Sequence, residues 1–151
     1  MAELLSIAFM SCNRVERVAQ SLGSVLAQTL DDVEVLICDD ASSDGTYEVL
    51  QQIVAGYRGG KRLRLLRNES RLGVIGNFNR IMAQAQSDYV MFAHDDDLSV
   101  PERAQTVRQA IFDAAAPPSA VFHDAFSLDA ASGQSQPARA RGLRAVHVDH
   151  G

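Results

Sequence analysis

A chain of 151 residues, 46% of them hydrophobic, is long enough to bury the core of one domain without disulfides. Its net charge of −5 argues against a nucleic-acid backbone as the main partner, because that backbone is itself negative. The longest apolar stretch, Leu4 to Cys12, has about half the length of a membrane-spanning helix and no basic flank. Composition therefore predicts a cytoplasmic globular protein without a transmembrane segment or a signal peptide.

Short apolar runs alternate with segments of helical spacing along the chain. Each run is bounded by polar clusters, which is typical of buried β-strands. The alternation predicts an α/β fold with a mostly parallel sheet and helices on both faces. The predicted strands are Leu4–Met10, Val33–Cys38, Leu63–Leu66, Tyr89–Ala93 and Ala120–Phe122.

Polar residues at the segment ends predict where the helices begin. Asn13, with Glu16 three residues later, predicts a capping box at the start of the first helix. An apolar stripe from Val49 to Tyr57 predicts the second helix, and the third is expected to begin near Val74. Ser99 is predicted to open the fourth helix, which Pro117 and Pro118 end.

The C-terminal stretch has a different pattern. Phe126–Leu128, followed by a turn near Asp129–Gly133, predicts the start of a further strand pair. We therefore divide the chain into a main portion, residues 1–128, and a partial, loosely ordered segment, residues 129–151. Lys61, the only lysine, lies in a glycine-rich stretch without a P-loop pattern, which argues against Schiff-base enzymes and P-loop NTPases.

Two predicted strands end in acidic clusters. The second strand is followed by Asp39, Asp40 and Asp44, and the fourth by His94 and the acids Asp95–Asp97. The carboxyl ends of parallel strands meet at one edge of a sheet, where such folds bind ligands. Adjacent carboxylates repel one another, and a divalent cation compensates for that repulsion. We therefore expect Asp95 and Asp96 to hold Mn²⁺ or Mg²⁺ that bridges the two phosphates of a sugar nucleotide.

Each cluster also has a purely structural interpretation. The segment from Asp39 to Thr46 is compatible with a turn that caps the next helix. The acids Asp95–Asp97 are compatible with a solvated helix entry, and His94 with a structural histidine. Both clusters are predicted at the same edge of one sheet. This favours the binding interpretation, because two unrelated capping turns are not expected to place acidic clusters at the same edge.

Several motifs, taken in order, carry a resemblance to a known family. Together they resemble the N-terminal, donor-binding portion of a family 2 glycosyltransferase with the GT-A fold. The likeness covers roughly residues 4–128. The motifs are Ser6–Arg14, Ser24–Thr29, Cys38–Thr46, Asn68–Asn77 and Tyr89–Glu102.

The resemblance implies a role for individual residues. Asp40 matches the acid that accepts a hydrogen bond from N3–H of uracil or thymine, with Asp39 supporting it. Asp96 matches the metal-binding acid of the family's DxD region, and Asp95 lies near the ribose and the metal. His94 stands where many members have the first Asp of that motif, and imidazole is an acceptable ligand for manganese. The remaining nucleotide-binding residues implied by the resemblance are Met10, Ser11, Asn13, Asn68, Gly73 and Asn77.

The resemblance also implies an activity. Members transfer a sugar from a nucleoside-diphosphate sugar, here expected to be a UDP- or dTDP-sugar, with inversion to a saccharide or lipid-linked acceptor. The expected setting is cell-surface polysaccharide or glycan biosynthesis, with peripheral membrane contact through the acceptor at the inner face of the cytoplasmic membrane. No glutamate follows Glu102, and no late acid matches the family's base motif, so the general base is expected to be absent from this chain.

Two other classes of protein remain to be weighed. A non-catalytic nucleotide-sugar-binding module is the main alternative, because the base is missing. A phosphoacceptor signalling domain also places acids at strand ends, but it requires an acid pair after the first strand and a phosphoacceptor Asp after the third. Here the first strand ends in Ser11-Cys12-Asn13 and the third in Arg67-Asn68, so neither requirement is met and the class is excluded.

Overall fold

The computed structural model describes residues 5–122, 126–128, 132, 134–137 and 144–146. The chain divides into two compact units, residues 1–105 and residues 106–151. None of the helices in the described ranges has the length and hydropathy that a membrane crossing requires. In chain order the elements up to the fourth helix are β1 (Leu5–Ser11), α1 (Val18–Leu26), β2 (Glu34–Asp39), α2 (Thr46–Gly56), β3 (Arg62–Arg67), α3 (Gly73–Gln84), β4 (Tyr89–His94) and α4 (Arg103–Asp113).

The first unit is built on a four-stranded sheet, which confirms the predicted α/β class. All its strands are parallel, in the order β3-β2-β1-β4. Every residue of β1 and β2 is buried, as expected for central strands of a parallel sheet that is covered on both faces. After β1, the chain adds β2 and then β3 on one side of β1, and it then crosses over to add β4 on the other side of β1. The carboxyl ends of β1 and β4 therefore flank the switch point where α/β sheets bind ligands.

The second unit contains short antiparallel strand pairs. β5 (Ala120–Phe122) pairs with β8 (Arg144–Val146) and does not extend the four-stranded sheet. β6 (Phe126–Leu128) pairs with β7 (Ser135–Pro137), which is the strand pair that the sequence predicts. Most of the turn between them lies outside the described residues. The boundary after residue 128 stays a prediction.

Two predicted helix starts are wrong, and one is correct within a residue. α1 begins at Val18 with no side-chain cap, because Asn13 takes a positive φ of 53° and uses its side chain elsewhere. α4 begins at Arg103 and not at Ser99, since the residues between them form a turn. α3 begins at Gly73, one residue before the predicted Val74.

A buried carboxylate joins three strands at the amino-terminal end of the sheet. Glu34 is 0% exposed and accepts hydrogen bonds from Arg64 Nη1 at 2.8 Å and from Ser6 Oγ at 3.0 Å. Burial alone would raise the pKa of Glu34, but the hydrogen bonds from Arg64 and Ser6 outweigh it and hold the pKa below its ordinary value. The ionised form of Glu34 therefore stabilises the fold.

This lowered pKa predicts an acid-dependent loss of stability. The contribution of Glu34 is complete above its unfolded pKa of 4.5 and is lost as the pH falls through the lower folded value. We expect the free energy of unfolding to fall less steeply with acidification in Glu34→Gln than in the parent chain. Urea denaturation at a series of pH values from about 3 to 6 measures this slope. The control is Glu69→Gln at an exposed position, and equal slopes for both variants would contradict the assignment.

Candidate functional site

The two acidic clusters converge at the end of β1. The backbone N–H of Cys12 donates to Asp95 Oδ2 at 2.9 Å, and its thiol donates to the carbonyl of Asp40 at 3.4 Å. The backbone of Asp40 in turn donates to the carbonyl of Ser11 at 2.8 Å. Cys12 therefore contacts both clusters, although they are separated by more than fifty residues in the sequence.

The surroundings of the Cys12 thiol favour its protonated form. Burial is the main cause that raises its pKa; the positive charge of Arg71 lowers the pKa, and the negative charges of Asp40, Asp39 and Asp95 raise it again. A thiol with a raised pKa is protonated and unreactive near neutral pH. We therefore assign Cys12 a structural role between the clusters.

Asp40 is engaged by the start of α3. Its carboxylate is 2% exposed and accepts hydrogen bonds from Asn68 Nδ2 at 2.6 Å and from the backbone N–H groups of Leu72 and Gly73, both at 2.8 Å. Gly73 has a φ of 75°, which only glycine adopts without strain, and this conformation aims its N–H at Asp40. A carboxylate has about four acceptor positions, so one remains for a further donor.

Three residues predicted from the family motif are assembled around Asp40. Asn68 and Gly73 contact its carboxylate directly, and Asn68 also donates to Asn77 Oδ1 at 3.1 Å. Asn77 then donates to the carbonyl of Cys38 at 3.3 Å. These polar side chains hold α3 against the end of β2. Their position at this edge agrees with the prediction, but the contacts themselves are structural.

The neighbouring pair Ser11 and Asp39 contributes two buried polar atoms without partners. These residues are register partners on β1 and β2, and they are 2% and 0% exposed. Asp39 Oδ2 accepts from Ser42 N at 3.0 Å, whereas Asp39 Oδ1 and Ser11 Oγ make no hydrogen bond within the described residues. Buried polar atoms normally have a partner, so these two atoms are exceptions to the rule at this edge of the sheet.

A set of hydrogen bonds fixes the segment after β1 to the loop after β2. Asn13 N donates to Ser42 Oγ, and Ser43 N donates to Asn13 Oδ1, both at 2.9 Å. Arg14 N donates to Thr46 Oγ1 at 2.8 Å, and Val15 N donates to Asp44 Oδ2 at 3.1 Å. The backbone of residues 13–15 is therefore held in one conformation. The predicted helix cap at Asn13 is replaced by this clamp between two loops.

The Thr46 hydroxyl is the buried part of this clamp and is open to a direct test. Thr46→Val keeps the shape but leaves the Arg14 N–H without its acceptor, so we expect the free energy of unfolding to fall by about 1–3 kcal/mol. Urea denaturation measures the change. Thr29→Val is the matched control, because the Thr29 hydroxyl is exposed and makes longer bonds of 3.3 Å and 3.2 Å. Equal losses in the two variants would contradict the role of the clamp.

An open cleft of about 490 Å³ lies beside this clamp. Two guanidinium groups and three carboxylates line it, so the lining has a net charge of −1. Asp96 is exposed there, and its carboxylate makes no hydrogen bond or ion pair with the described residues. The lining residues are Asn13, Arg14, Val15, Glu16, Arg17, Asp44 and Asp96.

The remaining predicted site residues lie outside the cleft lining. His94 is the exposed last residue of β4, and Met10 is 7% exposed and packs in the hydrophobic core. Asp95 is not part of the cleft lining, and its side chain is 12% exposed. No group of three or more His, Cys, Asp or Glu side chains suited to a metal occurs in the described part of the chain.

Sequence analysis missed Cys12, Arg14 and Thr46. Arg14 Nε lies 3.8 Å from Asp95 Oδ1 and lines the cleft beside Asp96. No spacing rule links residues 14 and 95, because their proximity arises from the pairing of β1 with β4. One sequence signal for the clamp was available. Asp44-Gly45-Thr46 is a typical turn sequence, and its side chains can accept hydrogen bonds from the backbone of a neighbouring segment.

Comparison with known proteins places these features in a family. Residues 6–121 match the model of Glycosyl transferase family 2. The glucosyltransferase WfgD of Escherichia coli, named as acting from UDP-Glc on α-D-GlcNAc-diphosphoundecaprenol, is 33% identical over 103 residues, which are 68% of this chain and 38% of WfgD. The chain spans about a third of the length of the curated relatives that it matches.

Solved structures show the same fold. The mannosyltransferase PcManGT of Pyrobaculum calidifontis, in complex with GDP-Man and Mn²⁺, superposes with a TM-score of 0.70 at 21% identity, over 84% of this chain and 36% of that protein. TarS of S. aureus (residues 1–349), in complex with UDP-GlcNAc, superposes with a TM-score of 0.61 at 26% identity, over 72% of this chain and 31% of that protein.

Proposed function

The chain belongs to glycosyl transferase family 2, and from that premise we propose that it forms the donor-binding part of a glycosyltransferase that uses a UDP- or dTDP-sugar. The observation that carries this proposal is the convergence of Asp40 and Asp95 on Cys12 at the end of β1. Both clusters therefore lie at the edge where α/β sheets bind nucleotides, and we assign the base to the Asp40 side and the diphosphate to the Asp96 side.

We assign the base to the carboxylate of Asp40. Its fourth acceptor position suits a single N–H donor such as N3–H of uracil or thymine. Ser11 Oγ and Asp39 Oδ1, the two buried atoms without partners among the described residues, lie on the adjacent strand ends of β1 and β2. The three protein donors to Asp40 fix the direction of its carboxylate before the nucleotide arrives.

The diphosphate end is the cleft beside Asp96. Its lining is net negative, so a diphosphate requires an additional positive charge to bind there. Mn²⁺ and Mg²⁺ use one or two carboxylates together with water and substrate phosphates, which fits an exposed Asp96 beside Asp95 Oδ1. His94 is a further candidate ligand by its position in the motif. When bound, such a cation stabilises the charge that develops on the departing diphosphate.

The chain's own residues would then orient the donor. Cys12 N holds Asp95 Oδ2, and Ser21 Oγ donates to the Asp95 carbonyl at 2.9 Å, so the acid is fixed at the end of β4. Inverting transfer needs a base that deprotonates the acceptor hydroxyl, and sequence analysis predicts that this chain lacks it. The name of WfgD specifies a diphosphoundecaprenol-linked sugar as its acceptor, which supports a saccharide or a lipid-linked acceptor for this chain. We further propose that a lipid-linked acceptor brings the protein into peripheral contact with the cytoplasmic face of the membrane. We place the reaction in cell-surface polysaccharide or glycan biosynthesis.

Calorimetric titration with UDP, dTDP and GDP tests the proposal. We expect UDP and dTDP to bind in the presence of Mn²⁺, more tightly than GDP and more weakly after EDTA is added. Absence of nucleotide binding with Mn²⁺ would contradict the proposal. A non-catalytic binding module remains the alternative, and it is favoured if the chain binds UDP without releasing UDP from a UDP-sugar in the presence of a lipid-linked acceptor.

A further inference from the structure

We propose that Arg14 alternates between two anionic partners, the Asp95 carboxylate and the donor diphosphate, and so couples cation binding to nucleotide binding. This inference rests on the proposed function, because it assumes a diphosphate and a divalent cation in the cleft. It gives a positioning role to Arg14, which ends the first family motif but was assigned no role from the sequence.

The position of Arg14 is fixed by its backbone. Its N–H donates to Thr46 Oγ1 at 2.8 Å, and the flanking residues Asn13 and Val15 are held by the same loop. The guanidinium group therefore extends from a rigid segment into the cleft that Asp96 also lines. Because the backbone is fixed, Arg14 can change position mainly by rotation about its side-chain torsions.

The contact between Arg14 and Asp95 is weak enough to exchange. Their closest atoms, Nε and Oδ1, are 3.8 Å apart, which is an ion pair without a hydrogen bond. The side chain of Arg14 is 48% exposed, and exposed ion pairs contribute little to stability. By contrast, Asp95 Oδ2 is hydrogen-bonded to Cys12 N at 2.9 Å, so the carboxylate stays in place when Arg14 leaves.

Asp95 Oδ1 is the oxygen for which two cations compete. It is the carboxylate oxygen not bonded to Cys12, and it faces the guanidinium of Arg14. A divalent cation at Asp95 and Asp96 would repel Arg14 from this oxygen. A released guanidinium forms its strongest hydrogen bonds with phosphate oxygens, which it binds in bidentate fashion. Arg14 therefore opposes cation binding in the empty site and supports nucleotide binding in the occupied one.

The proposal predicts that Arg14 weakens cation binding and strengthens nucleotide binding, so its replacement should change the two affinities in opposite directions. In Arg14→Gln of the 151-residue chain, we expect Mn²⁺ alone to bind more tightly, by roughly two- to fivefold, because a competing cation is removed. We expect UDP with saturating Mn²⁺ to bind more weakly, by about tenfold, because charge-assisted phosphate contacts are lost. Electron paramagnetic resonance of free Mn²⁺ gives the first affinity, and calorimetry with UDP gives the second. Arg14→Lys, which retains the charge, should recover most of the Mn²⁺ effect and only part of the UDP effect.

Arg58→Gln is the matched control for the loss of one positive charge. Arg58 is exposed, lies between α2 and β3, donates to the carbonyls of Ala55 and Tyr57, and is not part of the cleft lining. We expect both affinities to stay at the parent values in this variant. Unchanged affinities, or a fall in both affinities, in Arg14→Gln would overturn the coupling while leaving the proposed function intact. Absence of Mn²⁺ and UDP binding by the parent chain would overturn both.

Discussion

Asp96→Asn is expected to weaken Mn²⁺-dependent binding of UDP by roughly a hundredfold and to leave the melting temperature unchanged. Asp96 is exposed in the cleft, so its replacement by an isosteric amide opens no cavity and breaks no contact among the described residues. The loss is large because changes around a metal ligand already cost about ten- to a hundredfold in affinity. Calorimetry with UDP in Mn²⁺ measures the affinity, and differential scanning calorimetry measures the melting temperature.

The control for this variant is the next residue. Asp97 is an exposed acid outside the cleft lining, and its backbone N–H donates to the carbonyl of His94. Asp97→Asn makes the same change in charge and volume one position away, and we expect it to bind UDP like the parent chain. Equal affinities for Asp96→Asn and the parent would exclude Asp96 as a metal ligand. A large fall in the melting temperature of Asp96→Asn would show that the acid is structural.

Asp40→Ala is expected to have two effects, one on stability and one on recognition. Three donors lose their acceptor and α3 loses its cap, so the free energy of unfolding should fall by about 2–4 kcal/mol. The base also loses its carboxylate, so UDP binding should weaken even without a metal. Denaturation and calorimetry at a temperature where the variant is folded measure the two effects separately.

A ligand without a base distinguishes recognition from structure. Inorganic pyrophosphate binds the diphosphate end only, so the ratio of UDP affinity to pyrophosphate affinity reports on the base pocket. This ratio should fall in Asp40→Ala and stay at the parent value in Asp96→Asn, where both ligands weaken together. An unchanged ratio in Asp40→Ala would mean that Asp40 serves only to cap α3.

Much of the main sheet was predictable from the sequence, because buried parallel strands are continuous apolar runs with little internal ambiguity. The four strands of the sheet are close to their predicted limits. The helix starts were harder, because a cap depends on the conformation of one residue. Asn13 has the right sequence for a capping box, but its positive φ directs the side chain to Ser43 instead. Lys61 was also not predictable from local sequence. It follows two glycines in the sequence, but its ammonium group is buried and donates to the Gln28 carbonyl and to Asp31.

The candidate site was predictable in outline and not in detail. Two acidic clusters at strand ends must share an edge if the sheet is parallel, and the structure brings both of them to Cys12. The contact of Asp40 with Gly73 at the start of α3 joins residues 33 positions apart, and the contact of Arg14 with Asp95 joins residues 81 positions apart. Such contacts depend on tertiary packing, and composition and spacing carry no information about them.

The central claim is that the carboxyl ends of β1, β2 and β4 together bind a pyrimidine base at Asp40 and a cation-bound diphosphate at Asp96. A crystal structure of the chain with UDP and Mn²⁺, recorded with anomalous scattering from manganese, tests this claim most directly. We predict a manganese peak at the Asp96 carboxylate and the uracil N3 within hydrogen-bonding distance of Asp40. Manganese at a site remote from Asp95 and Asp96, or a nucleotide bound away from the carboxyl ends of β1 and β2, would contradict it.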